Sequence, residues 1–226
     1  AGILLQPSGQ AVLKQVGLLD AVLARAAPLD ALEAVHVGGR PLVTNRYADY
    51  APDCRAYGVH RGVLFGAIRD AVASRPIDVR LGCQITTREV TPAGVFLHDA
   101  TGRRHGPFDF VLAADGSRSR MRAACRLRAS VWPYSHATLW AIAPGRGVPS
   151  RLYQVVDGTR RLCGLVPLGD GLCTLYWGLP ARDYPATVAR GLEPLKREIR
   201  AFCPEAGELL DFLHSFDQLL LTRYQT

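Results

Sequence analysis

An apolar run closed by an acid and a glycine constrains this chain more than any other stretch: Phe110-Val-Leu-Ala-Ala-Asp115-Gly116-Ser117-Arg118-Ser119-Arg120-Met121-Arg122. Five apolar or small residues in a row predict a buried strand, and the residues after them predict a tight exit into a short helix. In an open α/β sheet, ligands sit beyond the carboxyl ends of strands. There a carboxylate can take ribose hydroxyls, and a residue without a side chain lets the backbone approach a pyrophosphate. Ser117 or Ser119 is placed to cap the helix, whose amide end favours anions. Asp157-Gly158 and Asp170-Gly171 repeat the dipeptide, but both fall between strand-like segments and read as hairpin turns.

The 226 residues suffice for one large domain or two small ones, burying roughly 70–75% of the unfolded surface. The apolar fraction of 48% is that of a globular protein. No run approaches the roughly 18 apolar residues of a membrane span, and the first twenty residues lack the basic start of a signal peptide, so a cytoplasmic protein without a membrane span is expected. The net charge of +7 rests on arginines, with Lys14 and Lys196 the two lysines. The arginines are scattered and not interleaved with aromatics, which argues against a nucleic-acid partner. The six cysteines, Cys54, Cys83, Cys125, Cys163, Cys173 and Cys203, include no Cys-x-x-Cys pair and no histidine at ligand spacing. They read as reduced, packed thiols, with no metal expected.

Along the chain, Gly9 to Arg25 predicts two helical segments broken near Gly17, and Leu32 to Tyr47 two strands joined at Gly38-Gly39. Arg61 to Ser74 carries Val63, Leu64, Ala67, Ile68, Ala71 and Val72 at helical spacing, predicting a helix with one buried face and Arg61 in its first turn. A cation there joins the free amides of a helix start, an arrangement that favours an anion. Val79 to Leu81, Gln84 to Val90 and Val95 to Leu97 predict short strands. From Ala137 to Gly178 the pattern changes to period-two strands, with Thr138, Trp140 and Ile142 on one face and Cys173, Leu175 and Trp177 on another. Ala181 to His214 returns to helix, with a stripe of Val188, Leu192, Leu195, Ile199 and Phe202. Leu219 to Thr226 reads as the start of a strand.

Three blocks in this order, Gly2-Ile3-x2-Gln6-Pro7, His60-Arg61-x2-Leu64 and Ala114-Asp115-Gly116-x2-Ser119-x2-Arg122, resemble the FAD-dependent aromatic monooxygenases of the p-hydroxybenzoate hydroxylase type. Val166-Pro167-Leu168 in the antiparallel segment is similar to that family's substrate domain. The resemblance implies a mixed α/β fold: part of a Rossmann-like FAD-binding domain over residues 1–130, an inserted antiparallel β-sheet substrate domain over 131–182, and a helical segment over 183–226 returning to the FAD domain. It implies an enzyme that hydroxylates an aromatic or related small organic substrate with FAD as cofactor and NAD(P)H and O2 as co-substrates. Arg61 matches the arginine at the FAD phosphate and ribose, Asp115 and Gly116 the motif shared by FAD and the nicotinamide cofactor, and Gly2 and Ile3 the backbone beside the flavin ring. His60 is assigned to packing. Trp140, Tyr153, Leu165, Pro167 and Trp177 are candidates for an apolar substrate floor.

Two signatures of that family are missing: the Gly-x-Gly-x-x-Gly loop and the later Gly-Asp motif. The chain therefore reads as an internal piece of such a protein. The alternatives are a reductase or halogenase of the same superfamily, although Trp132-Pro133-Tyr134 lacks the halogenase tryptophan pattern, or a non-catalytic domain that does not hold FAD. The sequence leaves substrate and oligomeric state open.

Overall fold

Glycines and prolines set the boundaries of the first elements. In the computed structural model, which describes residues 1–145 and 147–225, strand β1 (Gly2–Leu5) runs into helix α1 (Pro7–Gln15), with proline at its first position. Gly17 at φ +73° separates α1 from α2 (Leu19–Leu23), as expected. Strands β2 (Ala27–Leu29), β3 (Ala31–His36), β4 (Pro41–Arg46) and β5 (Ala56–His60) follow, then helix α3 (Arg61–Ala73). The sequence predicts a buried face on α3, yet none of its residues is fully buried in the structure. Val63, Leu64 and Ala67 are half-buried against the cluster of Leu5, Leu13, Val22 and Val59, while Phe65 and Ile68 face solvent, because only one flank of the helix meets a neighbour.

The middle of the chain carries β6 (Ile85–Thr91), β7 (Gly94–Asp99), β8 (Arg104–Phe108) and α4 (Arg120–Ala124). The three strands form an antiparallel sheet in the order β6-β7-β8. Two expected strands are corrected here. Val79–Leu81 is coil leading to a turn at Gly82 (φ +71°), with Leu81 90% exposed. The apolar run from Phe110 to Asp115 is not a strand either, and Phe110 and Leu112 are 77% and 79% exposed. Composition supplies the propensity for a strand, but a ladder needs a second backbone, and no described segment pairs with this one.

Strands β9 (Pro133–Pro144), β10 (Arg151–Asp157), β11 (Arg161–Pro167) and β12 (Leu172–Pro180) are the period-two segments of the sequence. They are followed by α5 (Tyr184–Arg190), α6 (Leu192–Phe202), α7 (Gly207–Asp211) and β13 (Leu220–Gln225). Of the predicted Leu219–Thr226 strand, Thr226 lies outside the described residues. These strands join β3 and β4 in a seven-stranded sheet ordered β13-β9-β12-β11-β10-β3-β4. Within it β9, β12, β11 and β10 pair antiparallel in turn, and β3 lies parallel to β10, with Ala31 opposite Arg151.

Each face of that sheet is covered differently. Leu139, Ala141, Cys163, Leu165, Cys173, Leu175, Trp177 and Leu179 pack under α6 and α7 with Leu195, Ile199, Leu209 and Leu210. Trp177 meets Phe202 edge to face at 5.4 Å. Val188 of the predicted helical stripe stays 38% exposed, because Gly191 (φ +93°) separates α5 from α6 and breaks the periodicity. On the other face, Val166, Leu168, Leu152 and Tyr176 meet Leu29, Tyr47 and Ala56, from the strand and turn segments around a small sheet ordered β1-β5-β2.

Backbone contacts group residues 1–75 with 135–224 and, separately, residues 76–134 with Gln225. Among the described residues no open parallel sheet of the Rossmann type is present; the run expected to supply one of its strands has no parallel neighbour. The described residues form a mixed α/β architecture with three sheets. No helix is long and apolar enough to cross a membrane among the described residues.

All six cysteines are free thiols. Cys163, Cys173 and Cys203 are fully buried, and burial pushes the Cys173 thiol up to about 12. A thiol with so high a value holds almost no thiolate near neutrality. Cys173 should therefore resist iodoacetamide at a pH of about 8 in the folded chain, Cys163 and Cys203 should resist it because no reagent reaches them, and all three should react fully in urea, as read by peptide mass spectrometry.

Candidate functional site

In the first unit, the antiparallel register of β1 against β5 sets Gly2 opposite His60 and Ile3 opposite Val59. The Arg61 amide donates to the carbonyl of Ala1 at 3.2 Å. The structure thus brings Gly2 and Ile3, from one block of the sequence, together with Arg61 from another. His60 serves as the N-cap of α3, its Nδ1 accepting the Gly62 amide at 3.1 Å. Arg61 occupies the first helical position, is exposed, and makes no ion pair among the described residues. A guanidinium beside free helix amides is a ready partner for an anion.

Gly2 is required by packing. A Cβ there would sit 2.5 Å from Thr174 Oγ1 and 2.8 Å from Leu168 Cδ2, so β1 crosses β12 closely only because the residue lacks a side chain. Thr174 is fully buried, and its hydroxyl has no hydrogen-bond partner among the described residues. Nothing in the sequence singles out Thr174, since a threonine in a strand is ordinary.

In the second unit, Gly116 adopts φ +80°, and a Cβ added to it would meet nothing within 4 Å. The backbone is accordingly open to a ligand on that side. Ser119 caps α4, its Oγ accepting the Arg122 amide at 2.9 Å, while Asp115 Oδ2 accepts the Met121 amide at 3.2 Å. The Ser119 hydroxyl first, and the Met121 amide second, hold the Asp115 carboxyl below its usual range. Arg122 Nη2 folds back onto the carbonyls of Ser117 and Gly116. Two cavities meet at Asp115. One of about 250 Å³ is bordered by Gly116, Ser119, Met121, Arg122 and Cys125. The other, of about 400 Å³, is bordered by Cys83, Gln84, Arg118 and Arg120. Asp115 borders both cavities, Gly116 and Arg122 border the first, and Arg118 and Arg120 border the second.

The five candidate floor residues do not share a face. Leu165 and Trp177 are buried under α6 and α7, and Tyr153 packs against the same cluster. Pro167 is buried at the end of β11, and its carbonyl oxygen faces Gly58. Trp140 lies on the opposite face, half-buried, with its ring 5.1 Å from that of Tyr176. Gln154 Nε2 donates to the Tyr176 hydroxyl at 2.6 Å, and Gly164 leaves room for that ring, since a Cβ there would lie 2.1 Å from Tyr176 Cζ. Sequence reasoning misses this Trp140–Tyr176–Gln154 group as a unit. Its signal is the polar Gln154 between Tyr153 and Val155, at a position whose pairing partner, Gly164, also pairs with Tyr176.

No protein-family model matches the chain, and no curated protein matches it by sequence. Solved structures do match, and the chain shares its fold with them. Tetrameric 2-methyl-3-hydroxypyridine-5-carboxylic acid oxygenase superposes with a TM-score of 0.82 at 19% identity, over 100% of this chain and 60% of that one. PqsL of Pseudomonas aeruginosa, described as a probable FAD-dependent monooxygenase, gives 0.81 at 21%, over 98% and 63%. HpxO of Klebsiella pneumoniae, solved with FAD and uric acid, gives 0.77 at 19%, over 100% and 59%. The chain thus spans about three-fifths of the length of the solved structures it matches. The resemblance carried by three short blocks is borne out at the level of fold across nearly all of the chain.

Proposed function

We propose that this chain is part of a flavin-dependent monooxygenase of the p-hydroxybenzoate hydroxylase-like family, acting on a small aromatic or heterocyclic substrate with FAD as cofactor and NAD(P)H and O2 as co-substrates. The observation that carries the reading is the fold likeness over 98–100% of the chain to oxygenases that include one solved with FAD and uric acid and another solved with 2-aminobenzoylacetate. Two features, each within its own unit, support FAD as the cofactor. An exposed arginine without an ion pair among the described residues stands at a helix start, and a glycine with open space beside it lies next to an ionised carboxylate.

When bound, FAD would supply the redox and oxygen chemistry, leaving the protein to bind, orient and shield. In this reading Arg61 pairs with the phosphate and ribose region, Asp115 accepts hydrogen bonds from hydroxyl groups, and Gly116 admits the backbone to the pyrophosphate. Gly2 and Ile3 pass beside the ring. Trp140 offers the aromatic contact for substrate, with Tyr176 and Gln154 as its polar neighbours. Tyr153, Leu165, Pro167 and Trp177 hold the sheet behind it.

FAD added to the purified chain should shift the visible flavin bands and quench flavin emission. Arg61→Ala and Asp115→Ala should each weaken that binding by about 1–3 kcal/mol, the scale of a lost charge-assisted hydrogen bond. Affinities equal to that of the parent in both variants would remove these assignments. No binding by the parent chain would favour a domain that does not hold the cofactor.

A further inference from the structure

The sheet β6-β7-β8 gathers three metal-binding residue types that lie far apart in sequence. Cys83 stands just before β6, Asp99 ends β7, and His105 is in β8. Pairing of Ile85 with Asp99 and of Leu97 with His105 brings them to one end of the sheet. Their donor atoms converge: Cys83 Sγ lies 3.7 Å from His105 Nε2 and 3.9 Å from Asp99 Oδ2, and the latter two are 2.9 Å apart. The His105 and Asp99 side chains are only 6% and 10% exposed.

We propose that Cys83, Asp99 and His105 form a binding site for a divalent transition metal of the zinc class, with a fourth position left for water or another ligand. Tetrahedral zinc with bonds of about 2.0–2.3 Å places its ligands about 3.3–3.6 Å apart. The two sulfur edges are already within a few tenths of an ångström of that, and the His105–Asp99 contact need open only slightly. One thiolate, one imidazole and one carboxylate make a donor set suited to zinc or cobalt.

The surroundings favour a preformed site. Asp99 Oδ1 accepts from the Thr101 hydroxyl at 2.6 Å, the Thr101 amide at 2.9 Å and the Arg103 amide at 3.0 Å, which fixes the carboxylate and leaves Oδ2 turned toward the other two groups. The Thr101 hydroxyl first, and His105 second, keep Asp99 ionised well below the usual carboxylate range. The 400 Å³ cavity that borders Cys83 gives an ion access.

A cation, Arg80, touches the group. Its Nη1 is 3.1 Å from His105 Nδ1, and its Nη2 is paired with Asp78 at 2.6 Å. Without metal, Arg80 donates to Nδ1 and the imidazole proton sits on Nε2, facing Asp99. Metal binding moves that proton to Nδ1 and takes one proton from the thiol, so Arg80, whose side chain is 53% exposed, swings off the ring.

The test is a titration of the reduced, purified chain with cobalt(II) alone. A one-to-one complex should show a near-ultraviolet sulfur-to-cobalt charge-transfer band and tetrahedral visible bands, both abolished by added zinc. Cys83→Ser should remove the charge-transfer band, whereas Cys125→Ser should keep it, and His105→Gln should weaken binding by about tenfold or more. Absence of the band, or its survival in Cys83→Ser, overturns the site. If the variants fail to fold by circular dichroism, alkylation of Cys83 in the parent chain decides. Zinc should slow it by at least about tenfold, and an unchanged rate would mean that the three residues merely knit the hairpin ends together.

Discussion

Trp177→Ala should cost about 3–5 kcal/mol, the range for removing a large aromatic side chain from a core. Trp177 is 2% exposed, meets the Phe202 ring edge to face, and sits in the layer that joins the seven-stranded sheet to α6 and α7. Typical domains hold only about 5–15 kcal/mol in total, so much of the folded population should be lost, visible as a large fall in the urea midpoint. Trp140→Ala gives the contrast. Its ring is half-buried on the opposite face beside Tyr176, so a smaller loss of stability is expected, together with weaker binding of an aromatic ligand. A small effect at Trp177 and a large one at Trp140 would reverse the assignment of the two faces.

The second large effect is expected at Gly58, where β5 passes over β11. A Cβ at this position would lie 1.8 Å from the carbonyl oxygen of Pro167 and 3.1 Å from Val166 Cγ1. The closest contact is to backbone, so no rotamer relieves it, and two packed sheets must separate. Gly58→Ala should therefore cost about 3 kcal/mol or more, at the upper end of overpacking effects. Gly66→Ala in α3 is the control of opposite sign. Nothing lies within 4 Å of its added Cβ, and alanine in a helix interior is favoured over glycine by about 0.5–1 kcal/mol. Denaturant midpoints for the two variants should move in opposite directions.

Why one strand expectation held and another failed is a matter of partners. The strands from Thr138 to Gly178 were legible because a sheet covered on both faces by different layers still alternates. Leu139, Ala141 and Ala143 face the helices, and Trp140 and Ile142 face the other way. The strands β3 and β4 were legible from Gly38-Gly39 between them, where Gly39 takes φ +82°. Phe110–Asp115 has equal strand character but no described neighbour to pair with. No local property of the residues reveals whether a partner will be present.

The candidate site divides in the same way. Arg61 and Ser119 were readable because helix starts carry local chemistry, a cation in the first turn and a hydroxyl at the cap. The faces of the five floor candidates depended on which layer covers which side of the sheet, information held by α6 and α7 rather than by the strands. Cys83, Asp99 and His105 escaped a search for short ligand spacings because strand register, not helical or loop spacing, brings them together.

The parallel ladder between β3 and β10, in which Ala31 meets Arg151, carries a further consequence for the newborn chain. During synthesis the residues of β3 and β4 emerge long before the strand that completes their sheet, and the whole of residues 76–134 is made in between. Closing so long a loop is entropically slow. The early hairpin must wait with one edge bare, and that interval is when a holdase chaperone would do the most to spare the molecule from sticking to its siblings.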